Sequence, residues 1–161
     1  MLGTRKKITL PGDTAEPLSA DNSCMEYVLG WGGKREDLLV ILFGTATVED
    51  LDAWVQVALS DARWSPPMRV LIDQRLVDWG RIGADEIERR VDMLALDSDR
   101  IGDSHVAIVA GSDLAFGLMR MEQAQIEGRV RHEFQVFRSI DEARAWLGQV
   151  RAEEELPVRA A

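Results

Sequence analysis

The sequence predicts an α/β domain, with a small mixed, mainly parallel β-sheet of about five strands flanked by about four helices. Three observations predict it. The apolar runs Leu38–Phe43, Val70–Ile72 and Val106–Ala110 are continuous, as strands covered on both faces would be. The segments between them place apolar residues at helical spacing. Strand and helix patterns then alternate along the chain, which implies parallel strands joined by right-handed crossovers.

Each element has a local reason. Residues 1–23 carry Pro11, Gly12, Pro17, Ser19, Asp21, Asn22 and Ser23 with no hydrophobic period, so a flexible N-terminal arm is expected there. A single domain is expected over 24–150 and a C-terminal tail over 151–161. Met25–Leu29 is compatible with a strand, and Gly30-Trp31-Gly32-Gly33-Lys34 reads as the turn that pairs it antiparallel with Leu38–Phe43. Thr47 is an N-cap candidate, followed by the first-turn acids Glu49 and Asp50 and by Val48, Leu51, Val55 and Leu59 on one helical stripe. Ser65-Pro66-Pro67 breaks the chain before Val70–Ile72, a strand that ends in Asp73.

A polar connector leads to a helix over Ala84–Leu96. Its inner stripe is Ile87, Val91 and Leu94, with Glu86 and Arg90 at i,i+4 on a wet face. After Val106–Ala110, Ser112 caps a helix from Leu114 to Glu127, and Gly128 stops it. Phe134–Phe137 alternates as an edge strand. Ser139 and Glu142 fit a capping box for a last helix through Ala143, Trp146, Leu147 and Val150.

Bulk properties exclude several functions. Apolar residues make up 46% of the 161 and charged residues 29%, a globular rather than a disordered balance. The net charge is −9, from 19 basic and 28 acidic residues, and the longest basic run is Arg5-Lys6-Lys7. Without a basic stripe, no nucleic-acid partner is expected. No run approaches the roughly 20 apolar residues of a membrane span, so no membrane insertion is expected. The start does not read as a secretory signal, and Cys24 is the single cysteine. A cytoplasmic location is expected.

No chemical constellation emerges. His105, His132 and Cys24 lack paired metal-ligand spacing, so no metal site is expected, and each histidine reads as a capping or surface residue. Gly-x-Ser-x-Gly is absent, and Gly111-Ser112-Asp113 is explained by a helix cap. No catalytic residue and no cofactor are expected. Trp79 stands out in its polar connector beside Asp78, either as an interface anchor or folded back over the sheet edge. The helix carrying Phe116, Met119 and Met121 is apolar nearly all round. That suits a subunit interface, a lined pocket, or burial between neighbouring helices. Asp78, Trp79, Phe116, Met119 and Met121 are therefore the candidate interaction surface.

The chain resembles the STAS domain, and more closely its SpoIIAA-like branch. The resemblance is carried by Val70-Leu71-Ile72-Asp73, Val106-Ala107-Ile108-Val109-Ala110, Phe116-Gly117-Leu118-Met119-Arg120-Met121, Phe137-Arg138, Glu142-Ala143 and Trp146-Leu147. It implies a protein-interaction switch without a cofactor. Signalling STAS domains resemble one another in a phosphorylated serine or threonine just after the third strand. Here Asp73 to Glu86 contains neither residue, so no phosphorylation site carries over. Asp78 and Asp85 read there as a loop acid and a first-turn helix acid. The expected function is a non-catalytic regulatory interaction module, a homo-oligomer or bound to a protein partner. The alternatives are a binder of an apolar small molecule or lipid and an unrecognised enzyme.

Overall fold

A computed structural model describes residues 24–155. The N-terminal arm and the end of the C-terminal tail lie outside the described residues. The elements run β1 (Glu26–Trp31), β2 (Leu38–Thr45), α1 (Val48–Ser60), β3 (Arg69–Asp78), α2 (Ala84–Leu96), α3 (Ser98–Ile101), β4 (His105–Val109), α4 (Asp113–Ile126), β5 (Glu133–Phe137) and α5 (Ile140–Glu155). This is the α/β class that the sequence predicts, with a short fifth helix, α3, added.

The five strands lie in the order β1-β2-β3-β4-β5. β1 pairs antiparallel with β2, and every later neighbour is parallel. This order has a consequence for the layers. Each parallel strand is added on the same side of the last, so right-handed crossovers must all return over one face. Accordingly α1, α2 and α4 bury their stripes against one side of the sheet, over Leu38, Val40, Val70, Ile72, Ile108 and Phe134. Among the described residues the opposite face has only α5, whose Ala143 and Leu147 pack on Leu71, Ala107 and Val109. Helices thus cover both faces, but three stand against one. In β2 the result is visible residue by residue: Leu38, Val40 and Leu42 are fully buried, whereas Leu39, Ile41 and Phe43 are half-buried.

The caps form as the sequence indicates. Thr47 Oγ1 accepts from Asp50 N at 3.1 Å, and Ser112 Oγ from Ala115 N at 3.1 Å. Ser139 Oγ accepts from Asp141 N at 3.2 Å. Asp50 does more than complement a helix dipole. It is buried, and its Oδ2 accepts from Met25 N at 3.1 Å, which ties α1 to the start of β1.

Three expectations need correction. β3 does not end at Asp73 but runs to Asp78, past a register shift opposite Ile41 and Phe43. The extra residue bulges the strand, and a bulge breaks the period on which a sequence reading depends. The extended strand crosses the end of β4, where a Cβ on Gly111 would lie 2.5 Å from Arg75 O. Second, α5 continues to Glu155, so the first residues of the expected tail are helical. Third, Arg90 is not on a wet face with Glu86. It is 5% exposed, while Glu86 turns back to accept from Gly83 N at 2.9 Å.

Candidate functional site

Arg90 leads to the site. It enters the helical layer from α2 and meets Glu122 from α4, with Arg90 Nε donating to Glu122 Oε1 at 2.9 Å. Both side chains are buried, at 7% and 2% exposure. Their placement follows from helix geometry. Arg90 lies three residues after Ile87 and four before Leu94, and Glu122 four residues after Leu118 and four before Ile126. Both therefore project from inner faces.

The pair lines one side of a cavity of about 60 Å³ between the helices and the sheet. Its floor is Leu38, Val70, Ile72, Val106, Ile108 and Phe134 from β2 to β5. Trp54, Val55, Ala58 and Leu59 of α1 also line the cavity, with Trp64, Leu94 and Ile101. His132, from the turn before β5, completes the lining. The lining side chains are apolar apart from Arg90, Glu122, His132 and the indole N–H groups of Trp54 and Trp64.

Several of those atoms are unsatisfied. Trp54 Nε1, Glu122 Oε2 and His132 Nδ1 are buried and have no hydrogen-bond partner among the described residues. Buried polar groups are normally paired, and each unpaired one costs about 1–3 kcal/mol. Three such residues line this one cavity, while others, Gln74 and Trp79 among them, lie away from it. His132 contributes no charge at neutral pH, because burial, and then the Arg90 charge, lower its pKa from 6.5 to about 4. Arg90 and Glu122 offset each other, so the cluster is neutral overall.

Surface hydrogen bonds join α1 and Trp64, which follows it, to α3 and the preceding Asp97, beside Trp64 and Ile101 of the cavity lining. Trp64 Nε1 donates to Arg100 O at 2.9 Å, Arg100 Nη1 to Gln56 Oε1 at 2.9 Å, and Gln56 Nε2 to Asp97 Oδ2 at 2.7 Å. Such bonds contribute only about 1 kcal/mol each when water can replace them. His132 and Phe134 also line a groove between the end of α4 and β5, so they stand between the cavity and the surface.

The five residues expected to form an interaction surface do not share one. Met119 is fully buried and Trp79 is 2% exposed, both in the core under the helices. Phe116 is half-buried beneath the Arg138 guanidinium, 4.2 Å from the ring centroid. Met121 is exposed at 38%, and Asp78 is exposed with Oδ1 accepting from Gly80 N at 2.8 Å. Asp85 lies in the first turn of α2. Of the two histidines, His105 sits partly exposed, 3.6 Å from Glu133 Oε2, while His132 belongs to the buried cluster. Among the described residues no three His, Cys, Asp or Glu side chains converge as a metal site. No helix there is long and apolar enough to cross a membrane.

A comparison with solved structures decides the fold. An uncharacterised protein from the DUF3478 family with a SpoIIAA-like fold, from Shewanella loihica PV-4, superposes with a TM-score of 0.51. The superposition covers 84% of this chain and 99% of that one. The fold is SpoIIAA-like. At 20% identity the likeness extends to the fold alone. No protein-family model matches the chain, and no curated protein does. The SpoIIAA-like fold here is monotonic in strand order and so has no topological switch point, the crevice where open α/β sheets usually bind ligands. The cavity instead lies beneath the helical layer, where three helices meet on one face.

Proposed function

We propose that this SpoIIAA-like domain is a non-catalytic binding module for a small, largely apolar molecule held between α1, α2, α4 and the sheet. One observation carries the reading: buried polar atoms without partners, on Trp54, Glu122 and His132, line a single apolar cavity. Ligand sites are mostly apolar concavities with a few placed polar groups, and this one has that composition. At about 60 Å³ the cavity is smaller than the roughly 150 Å³ that accommodates benzene in a protein core. Binding therefore requires the end of α1 to move, and the hydrogen bonds at the α1–α3 seam are the ones that must give.

Native mass spectrometry of gently purified protein tests this. The expected spectrum contains a species heavier than the chain by one small-molecule mass. That species should be absent in Ala58→Leu, which fills the cavity from α1. A bare chain mass, together with no change in melting temperature on adding small aromatic probes, would overturn the reading.

A second reading, association through α4, rests on a separate observation. Leu114, Gly117, Met121 and Ala124 are exposed at i, i+3, i+7 and i+10, a stripe along the outer side of the helix. Met121→Glu should remain folded, and on this reading it should convert an oligomer to a monomer in light scattering coupled to size exclusion. Met119→Glu should unfold the domain whatever its oligomeric state, because Met119 is core. A wild-type monomer would remove the second reading and leave the first intact.

A further inference from the structure

The chemistry of the cavity selects among small molecules, and this selection rests on the binding reading above. The polar cluster contains a cation, Arg90, and an anion, Glu122, already joined at 2.9 Å. His132 beside them is neutral, since burial and Arg90 hold its pKa near 4. A carboxylate or phosphate entering this space would meet Glu122 with Arg90 already engaged. An ammonium would meet Arg90. Either would bury a third charge beside a pair whose two charges already offset each other, leaving a net charge in the apolar interior, which is unfavourable.

The unpaired atoms specify what would fit. Glu122 Oε2 is an acceptor and needs a donor. Trp54 Nε1 carries a hydrogen and needs an acceptor. His132 Nδ1 takes either role according to its tautomer. A hydroxyl group has one donor and two acceptor lone pairs, so it carries both of the functions that these two atoms lack. A methyl or a ring edge answers neither. We infer that the cavity selects an apolar molecule ending in a neutral hydroxyl, an alcohol or a phenol, over anionic, cationic and purely hydrocarbon molecules of the same size.

Three probes of nearly equal size separate the classes: 4-fluorophenol, 4-fluorotoluene and 4-fluorobenzoate, followed by fluorine NMR titration of the full chain at pH 7. The phenol is neutral there, as the tyrosine phenol is. A hydrogen bond to a charged carboxylate should make 4-fluorophenol bind about tenfold or more tightly than 4-fluorotoluene. 4-Fluorobenzoate should not bind. The indole N–H resonance of Trp54, assigned by its loss in Trp54→Phe, should move with the phenol and not with the toluene. Trp54→Phe should weaken the phenol while leaving the toluene nearly unchanged. Equal affinity for phenol and toluene would overturn the hydroxyl inference and leave the apolar binding site standing. Preferential binding of the benzoate would overturn it in favour of an anionic ligand. Failure of all three probes would mean that the cavity does not open to small apolar molecules, and both readings would fall. Because the comparison is made on the wild-type chain, it decides even if a variant does not fold.

Discussion

Glu122→Leu is expected to lower the unfolding free energy by about 3–5 kcal/mol, the cost of leaving a buried charge without its partner. Arg90 is 5% exposed and its Nε is committed to Glu122 at 2.9 Å, so the guanidinium would be stranded in an apolar wall. The loss is a large part of the roughly 5–15 kcal/mol that holds a domain of this kind together. Urea titration followed by tryptophan fluorescence measures it directly. A loss below about 1 kcal/mol would mean that water already reaches Arg90, as at a surface pair.

The double variant Arg90→Met/Glu122→Leu should behave in the opposite way. Replacing both members of a buried pair by apolar residues of similar volume is often neutral or stabilising, by about 1–4 kcal/mol. A double variant at least as stable as the wild type would show that the pair is not there to hold the fold together. The same variant tested against the hydroxylated probe would then show what the pair does. It should keep the fold and the cavity and lose most of the discrimination between phenol and toluene, with only the Trp54 indole left to favour the phenol. Stability and selectivity would be separated in one molecule.

The fold was legible because its signals are local. Thr47, Ser112 and Ser139 sit immediately before their helices and cap them. The apolar runs that became β2, β3 and β4 stand out against polar flanks. What escaped was non-local or aperiodic. The extension of β3 to Asp78 is hidden by a bulge at Asp73, Gln74 and Arg75, polar residues that read as a connector. The half-exposure of Ile41 and Phe43 depends on strand order, which no local pattern in β2 contains.

The site was legible in part. Arg90 shares the inner stripe of α2 with Ile87, Val91 and Leu94, and Glu122 shares that of α4 with Leu118 and Ile126. Two opposite charges on the apolar faces of neighbouring helices were a signal that the i,i+4 spacing of Glu86 and Arg90 obscured. Pairing them requires knowing that α2 and α4 are adjacent, across 32 residues of chain. His132 gave no such signal. It lies in a turn, outside any period, and only the packing of α4 against β5 brings it to the cavity. Trp79 and Met119 were legible as unusual but not as buried, because burial depends on which neighbours a helix acquires.

His132 makes a second large effect measurable, through pH. Above pH 6.5 its imidazole is neutral in both the folded and unfolded chains and contributes nothing to the pH dependence. Between 6.5 and about 4 the unfolded chain takes up a proton that the folded chain refuses, so stability falls as the pH falls. Below about pH 4 both states are protonated and the loss levels off. The interval corresponds to about 3 kcal/mol. Carboxylates also titrate in this range, so the informative quantity is the difference between wild type and His132→Gln, taken from urea midpoints at each pH. The difference should be flat above pH 6.5 and should shift in favour of the variant as the pH falls towards 4. Parallel curves would mean that folded His132 accepts its proton freely, which requires solvent at Nδ1. In that case the cluster would carry a net positive charge in mild acid, and an anionic occupant would become admissible there. A difference that opens only below pH 6.5 keeps the cluster neutral at physiological pH, the condition on which selection of a neutral hydroxyl depends.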